Sequence, residues 1–120
     1  MKLSKERERR FETFRNWLRT HARLSERPRG DAVARAKRVE RDLFGGINLD
    51  AEYAQDRLAR VLQVLKYTAE DVHDHREPPE GVIFRFNPDE PRYYERVKAV
   101  LNGMHRAIEL YRDFCSENLR

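Results

Sequence analysis

With 120 residues, the chain is long enough for one hydrophobic core and too short for a second, so we expect a single domain over residues 1–120. Its hydrophobic fraction of 39%, charged fraction of 38% and net charge of +4 are typical of a soluble helical protein and exclude a disordered chain. The sequence contains no run of roughly 18 apolar residues, no signal-peptide core and only one cysteine, so we expect a cytoplasmic protein without disulfides or a membrane partner.

The first forty residues predict two amphipathic helices separated by a break. The first helix spans about 4–24, contains no Gly or Pro, and has Ser4 as its expected N-cap. The stretch "SERPRGD" (25–31) predicts the break, and Asp31 is expected to cap a second helix over 32–44. Apolar side chains recur at three- and four-residue steps on both helices: Phe11, Phe14, Leu18, Val33, Ala36, Val39 and Leu43.

The middle of the chain predicts a third helix over about 51–67, with Asp50 as its N-cap. Gly45 and Gly46 are expected to end the second helix, because glycine readily adopts the left-handed geometry common at helix C-termini. The stretch "TAED" (68–71) predicts a capped extra turn.

The stretch "HDHREPPEGVIFRFNPD" (73–89) predicts an irregular loop before the last helix. Alternating side chains at 82–86 favour an extended segment laid across the helices, since no partner strand is evident. Pro91 suits the start of the last helix, over about 90–117. Four helices that are each apolar on one side bury those sides against one another, so the sequence predicts an all-α bundle.

The layout of "FETFRNWLRTHARLSERPRGDAVARAKRVERDL" (11–43) resembles the SAM-like core-binding helical domain at the N-terminus of tyrosine recombinases and integrases. The stretch "YYERVKAVLNGMHRAIELYRDFC" (93–115) is similar to the last helix of that module, and its ending also resembles N-terminal domains of prokaryotic restriction-type nucleases. The resemblance implies a SAM-like four-helix orthogonal bundle with a long Pro-containing loop before the last helix, and basic helices that hold duplex DNA. Cleavage is not implied, because the catalytic residues of recombinases belong to a further domain that these residues do not include.

The N-terminal part carries most of the positive charge. Residues 1–41 hold 14 Lys and Arg against 6 Asp and Glu, whereas residues 42–120 hold 11 against 15. Arginines recur opposite the apolar sides of the first two helices and in the turn between them, which favours contact with the closely spaced phosphates of duplex DNA. The candidate DNA-binding residues are Arg15, Arg19, Arg23, Arg27, Arg29, Arg35, Arg38 and Arg41. A solvated charged surface is the alternative, because Glu8, Glu12 and Glu40 interrupt these rows.

Other candidate chemistry is weaker. The stretch "DVHDH" (71–75) contains metal-ligating residue types without the spacing of a metal site, so we expect a polar helix end and no metal. We expect His21 and His105 at the edge of the core, and Cys115 as a small buried side chain, because no base is placed to form its thiolate. No phosphate-binding loop, catalytic triad or carboxylate pair appears, so we expect no catalytic residues, no cofactor and no enzymatic activity.

Two functional hypotheses follow. The first is a non-catalytic DNA-associated helical module that contacts the duplex backbone through the arginine-rich surface, without base-specific recognition, because phosphate contacts position a protein but do not specify a sequence. The alternative is a protein–protein interaction or dimerisation module with no nucleic-acid role, in which the acidic half, residues 82–86 or the last helix meets a protein partner or a second copy.

Overall fold

The computed structural model of the chain describes residues 3–79 and 87–118, and helices are the only regular structure in these ranges. The predicted all-α class is therefore confirmed. The predicted extended segment at 82–86 lies outside the described residues. The elements in chain order are α1 (Lys5–Thr20), α2 (Glu26–Asp42), a 3₁₀ turn (Leu43–Gly45), α3 (Leu49–Asp56), α4 (Ala59–Leu65), α5 (Ala69–His73) and α6 (Tyr93–Asn118).

Helix α1 begins as predicted and ends earlier than predicted. The Ser4 side chain accepts a hydrogen bond from the Arg7 backbone N–H at 3.2 Å, which satisfies one of the unpaired donors of the first turn. After Thr20 the chain turns through Arg23, whose φ of 55° is left-handed, and the Leu24 N–H donates to the Leu18 carbonyl at 3.0 Å. The turn between the first two helices therefore falls at residues 21–24.

The break predicted at 25–31 is wrong, because this stretch forms the beginning of α2. The helix begins at Glu26, with Ser25 at the N-cap position. Pro28 lies in the first turn, where backbone N–H groups have no acceptor within the helix, so the missing N–H of proline costs little there. Asp31 consequently lies inside α2 and does not cap it.

The predicted third helix is two helices. Between α3 and α4 the backbone is left-handed at Arg57 (φ 58°) and Leu58 (φ 67°). The Leu58 side chain is fully buried, so core packing at this position compensates for the backbone strain. The N-cap of α3 is also different from the prediction: the Asn48 side chain accepts from the Ala51 N–H at 3.0 Å, which leaves the Asp50 carboxylate for other contacts.

Gly45 and Gly46 have the expected positive φ values, 80° and 122°, but they do not end α2. That helix ends at Asp42, where Leu43 is extended, and the glycines lie at the end of the 3₁₀ turn that follows. Two other predicted helix-terminus features are confirmed. Thr68 caps α5, and its side chain and that of Asp71 form reciprocal bonds to each other's backbone N–H groups. Helix α6 begins at Tyr93, close to the predicted start, and contacts each of the other five α-helices of the described residues.

Helix α6 lies at the centre of the core. Its most extensive contact is with α2, and it also packs against α1, α3, α4 and α5. Aromatic rings from α1 and α6 interlock: the Phe14 ring lies 4.9 Å from Tyr111 and 5.3 Å from Phe114, measured between centroids. The apolar positions predicted for α1 are therefore buried together with these side chains of α6 in one continuous cluster, which holds α1 against α6.

A buried charge network ties four elements to this core. Glu40 of α2 is the only fully buried charged side chain among the described residues. The Arg7 guanidinium binds both of its carboxylate oxygens, and it also donates to Asp50 at 2.7 Å. Arg10 donates to the same Asp50 at 3.0 Å, and the Tyr111 hydroxyl donates to Asp50 at 2.8 Å. Two guanidinium groups and two carboxylates thus neutralise one another.

The network also provides a hydrogen-bond acceptor for a buried backbone N–H group. The Leu49 N–H, at the first position of α3, donates to a Glu40 carboxylate oxygen at 2.9 Å. No buried side-chain nitrogen or oxygen among the described residues lacks a hydrogen-bond partner. The position of α3 on α2 is therefore set by a specific polar contact rather than by apolar packing alone.

The pKa values of Asp50, Tyr111 and Cys115 shift in the directions that preserve the hydrogen bonds and ion pairs of this network at neutral pH. Burial alone would raise the pKa of Asp50, but hydrogen bonds from Arg7 and Tyr111 and the Arg10 charge outweigh it and lower that pKa. Burial, with the nearby Asp50 charge, raises the pKa of Tyr111, and the same two causes raise the pKa of Cys115 to about 12. Cys115 therefore remains a protonated thiol at neutral pH, in agreement with its expected role as a buried small side chain.

We predict that Glu40→Gln lowers the free energy of unfolding by about 3–5 kcal/mol, because it leaves the buried Arg7 charge without its carboxylate partner. Urea denaturation monitored by circular dichroism measures this change. Glu8→Gln is the matched control, since Glu8 pairs with Lys37 at 2.8 Å on the exposed surface and its loss should cost at most about 1 kcal/mol. Equal losses in the two variants would contradict the structural role of the network.

We further predict that stability falls in acid because of Asp50. The unfolded pKa of an aspartate is about 3.9 and the folded pKa is lower, so this stabilisation is complete above that value and is lost as the pH falls through the folded pKa. We expect the free energy of unfolding, measured with urea at several pH values from 6 down to 2, to depend less on pH in Asp50→Asn than in the wild type. The pKa of partly buried Asp71 is also lowered, mainly by its hydrogen bond from the Thr68 backbone, so the difference between wild type and Asp50→Asn isolates the network. Parallel curves would contradict the prediction.

Candidate nucleic-acid interface

Exposed arginines gather at the end of the molecule that contains the turn between α1 and α2. Arg19 lies in the last turn of α1, Arg23 in the turn itself, and Arg27 in the first turn of α2. Arg35 lies further along α2, and Arg106 reaches the same end from α6, where it lines a depression together with His21 and Ala22 of the turn. We call Arg19, Arg23, Arg27, Arg35 and Arg106 the basic end.

The members of the basic end are all exposed, and none forms an ion pair or a side-chain hydrogen bond with another residue in the described parts of the chain. Some surface cations elsewhere are paired: Lys37 with Glu8, Arg60 with Glu52, and Arg76 with Asp71. Others, such as Arg9, Arg57 and Lys66, are exposed and also make no ion pair within the described residues. The basic end differs from the rest of this surface because it brings five such arginines together, which concentrates positive potential there.

The other predicted DNA-binding arginines have partners within the protein. Arg15 lies 4.0 Å from Glu12 and Arg41 lies 3.0 Å from Asp42. Arg29 donates to the Leu24 carbonyl at 3.1 Å and thereby stabilises the turn. Arg38 is half-buried and also has an interaction partner. Of the eight arginines nominated from the sequence, Arg19, Arg23, Arg27 and Arg35 remain without an internal partner among the described residues.

Arg106 was not among the arginines nominated from the sequence. It lies far from the N-terminal basic segment, in the part of the chain (42–120) that has more acidic than basic residues. The local density of positive charge therefore did not indicate it as a DNA-binding residue. The spacing of small residues could have indicated its position. Gly103 and Ala107 are four residues apart and therefore lie on one side of the helix, next to Arg106, where small side chains let another element approach closely. That element is α2.

A groove of about 400 Å³ runs between α2 and α6 within the basic end. Its lining includes Arg27, Arg35 and Arg106, together with Asp31. We call the apolar part of the lining the floor, which consists of Leu24, Pro28, Ala32, Ala107 and Leu110. The Arg35 side chain lies against Gly103, such that a Cβ at residue 103 would come within 3.1 Å of Arg35 Nε. The groove therefore combines converging cations with an apolar surface.

The residues considered for metal or catalytic chemistry have structural contacts. Asp71 completes the cap of α5, and the His75 ring stacks on Tyr94 with centroids 4.6 Å apart. His105 lies 3.3 Å from Glu109 of the same helix. His21 is exposed rather than at the core edge, and its ring stacks on Trp17. In residues 3–79 and 87–118, no three His, Cys, Asp or Glu side chains converge as a metal site would require.

Another depression, of about 770 Å³, lies between α3 and the end of α6, and Arg57 is the one cation that lines it. Its lining includes Cys115, whose raised pKa gives it no nucleophilic character at neutral pH. The converging charges that distinguish the groove between α2 and α6 are absent from this depression.

Comparisons with protein-family models, with curated proteins and with solved structures found no match. None of the helices in the described ranges is both long and apolar enough to cross a membrane.

Proposed function

We propose that the protein is a non-catalytic DNA-associated helical module that contacts the duplex backbone through its basic end. The observation that carries this proposal is the presence, at one end of the molecule, of five exposed arginines that have no partner within residues 3–79 and 87–118. Duplex DNA presents one negative charge per about 1.7 Å of axis, and binding of several arginines releases condensed counterions, which supplies sequence-independent affinity.

Two further features support an anionic ligand at this end. The N-terminus of the 17-residue helix α2 lies between Arg23 and Arg27, and the helix dipole adds partial positive charge there. The Ser25 side chain makes no capping hydrogen bond, so the first N–H groups of α2 have no side-chain acceptor at that position. The dipole and the guanidinium charges thus act in the same direction, and only part of this positive field is offset by the Glu26 carboxylate in the first turn.

The surface does not favour an apolar protein partner. Phe44, at 42% exposure, is the only large hydrophobic side chain that is exposed in the described parts of the chain, and the Arg60 guanidinium lies over its ring. The apolar positions of α6 considered for dimerisation, such as Val97, Leu101 and Ile108, are buried within the core. We therefore favour the DNA-associated module over the protein-interaction or dimerisation module.

The finer architectural assignment forms part of the same proposal. A SAM-like, four-helix orthogonal arrangement similar to recombinase core-binding domains would place α1 and α2 against DNA, as the resemblance of residues 11–43 and 93–115 implies. Backbone contacts of this kind position a protein without reading base sequence, so specificity and any strand chemistry would belong to a partner or to another domain. A cytoplasmic location is consistent with this role and remains part of the proposal.

We predict that a labelled duplex of about 20 base pairs binds with an affinity that falls steeply with salt, with a slope of about −0.9 in log K against log salt for each phosphate contact. The double substitution Arg19→Gln with Arg23→Gln should weaken binding and make the slope shallower by about 2, because two of these contacts are lost. Fluorescence anisotropy at several salt concentrations measures both quantities.

The control is Lys66→Gln, which removes an exposed cation that makes no ion pair within the described residues and lies in the connection between α4 and α5. Its salt slope should equal that of the wild type. If the wild type does not bind even at low salt, or if Lys66→Gln has the same effect as the double substitution, the proposed interface is wrong.

A further inference from the structure

We infer that the groove between α2 and α6 binds an unpaired nucleotide at the end of a DNA duplex, with its base on the apolar floor and its phosphate among the three arginines. This inference rests on the proposed function, because it assigns one part of the basic end to a single-stranded extension of the same DNA. It differs from backbone contact in requiring a free base.

The charges around the groove fit one phosphate group. Arg27 and Arg35 come from α2, and Arg106 comes from the facing helix α6, so guanidinium groups approach the opening from both sides. None of the three has an ion-pair partner in the described parts of the chain. Guanidinium groups bind phosphate oxygens through paired hydrogen bonds, so the two unesterified oxygens of a nucleotide phosphate suit a cluster of such groups.

The floor of the groove distinguishes an unpaired nucleotide from an intact duplex. Along its length, a duplex keeps the faces of its bases stacked and presents sugars, phosphates and base edges, so no ring face is free to lie on Leu24, Ala32 and Leu110. An unpaired base exposes an apolar ring face that is suited to such a floor. The combination of an apolar floor with a cationic opening therefore favours a nucleotide whose base is free.

Two side chains provide specific contacts for that base. Because residue 103 is glycine, the Arg35 side chain packs closely on α6 beside the floor, and we expect its guanidinium to stack on the base. The Asp31 carboxylate lines the same groove and makes no ion pair or side-chain hydrogen bond within the described residues, so it is available to accept from the N–H groups of a base edge.

The experiment compares three labelled DNAs by fluorescence anisotropy at one salt concentration: a blunt duplex of about 20 base pairs, the same duplex with a three-nucleotide overhang, and the same duplex with a three-residue abasic overhang. The abasic overhang carries the same phosphates without bases. We expect the overhang with bases to bind about tenfold more tightly than the abasic one, because stacking of a base adds affinity that phosphates do not supply. Equal affinities for these two DNAs would overturn the inference.

Variants of the groove locate the effect. Gly103→Leu fills the space beside Arg35 without changing the net charge, and it should abolish the preference for bases while the affinity for the blunt duplex stays within about twofold. Leucine is also a better helix former than glycine, and thermal unfolding verifies that this variant is folded. Arg35→Gln is the second variant and should give the same loss of preference. Retention of the preference in both variants would also overturn the inference.

The outcomes separate this inference from the proposed function. Steep salt-dependent binding of the blunt duplex, with no preference for the overhang, refutes the groove and leaves the proposed function standing. Binding of the overhang DNA through the groove, with no binding of the blunt duplex, supports the groove and refutes the duplex-backbone function. Absence of binding to all three DNAs refutes both.

Discussion

The ion network of Arg7, Arg10, Glu40 and Asp50 determines both the packing of the helices and the location of free charge. It joins α1 to α2 through Arg7 and Glu40, holds the first residue of α3 on Glu40, and reaches α6 through Tyr111. Arg7 and Arg10 belong to the most basic part of the sequence, yet their charges are neutralised inside the fold. The net charge of the N-terminal part is therefore a poor guide to its surface, and only arginines outside this network and outside surface ion pairs can attract an external anion.

The fold was predictable where local rules act alone. Side-chain periodicity identified the apolar sides of α1, α2 and α6, and the cap at Ser4, the positive φ values of the paired glycines and the capping box of α5 follow from residue type and spacing. The errors arose where tertiary contacts override local preference. Pro28 indicated a break, although its position in a first turn is compatible with a helix, and nothing local predicts left-handed backbone at Arg57 and Leu58, which depends on burial of Leu58. Asp50 resembled an N-cap because its contacts with Arg7 and Arg10 span the whole fold.

The candidate site was predictable in part for the same reason. The sequence identifies arginines but not their partners, and pairing depends on which helices lie side by side. The structure leaves Arg19, Arg23, Arg27 and Arg35 without internal partners among the described residues and adds Arg106, which is separated from them by some 70 residues of sequence or more. The groove between α2 and α6 exists because Gly103 and Ala107 let the two helices approach where Arg35 and Arg106 flank the contact. Predicting this groove requires knowing which helices pack side by side, and no pattern in a single sequence gives that information.

The most direct test of the central claim observes the arginine side chains themselves. In ¹H–¹⁵N spectra of the guanidinium Nε–H groups, recorded during titration with a duplex of about 20 base pairs, we expect the signals of Arg19, Arg23, Arg27, Arg35 and Arg106 to shift. The signals of Arg7 and Arg10, which are held in the ion network, should remain unchanged and serve as internal controls. The account would be contradicted if no arginine signal changed, or if the largest changes fell on paired arginines away from the basic end, such as Arg60 and Arg76.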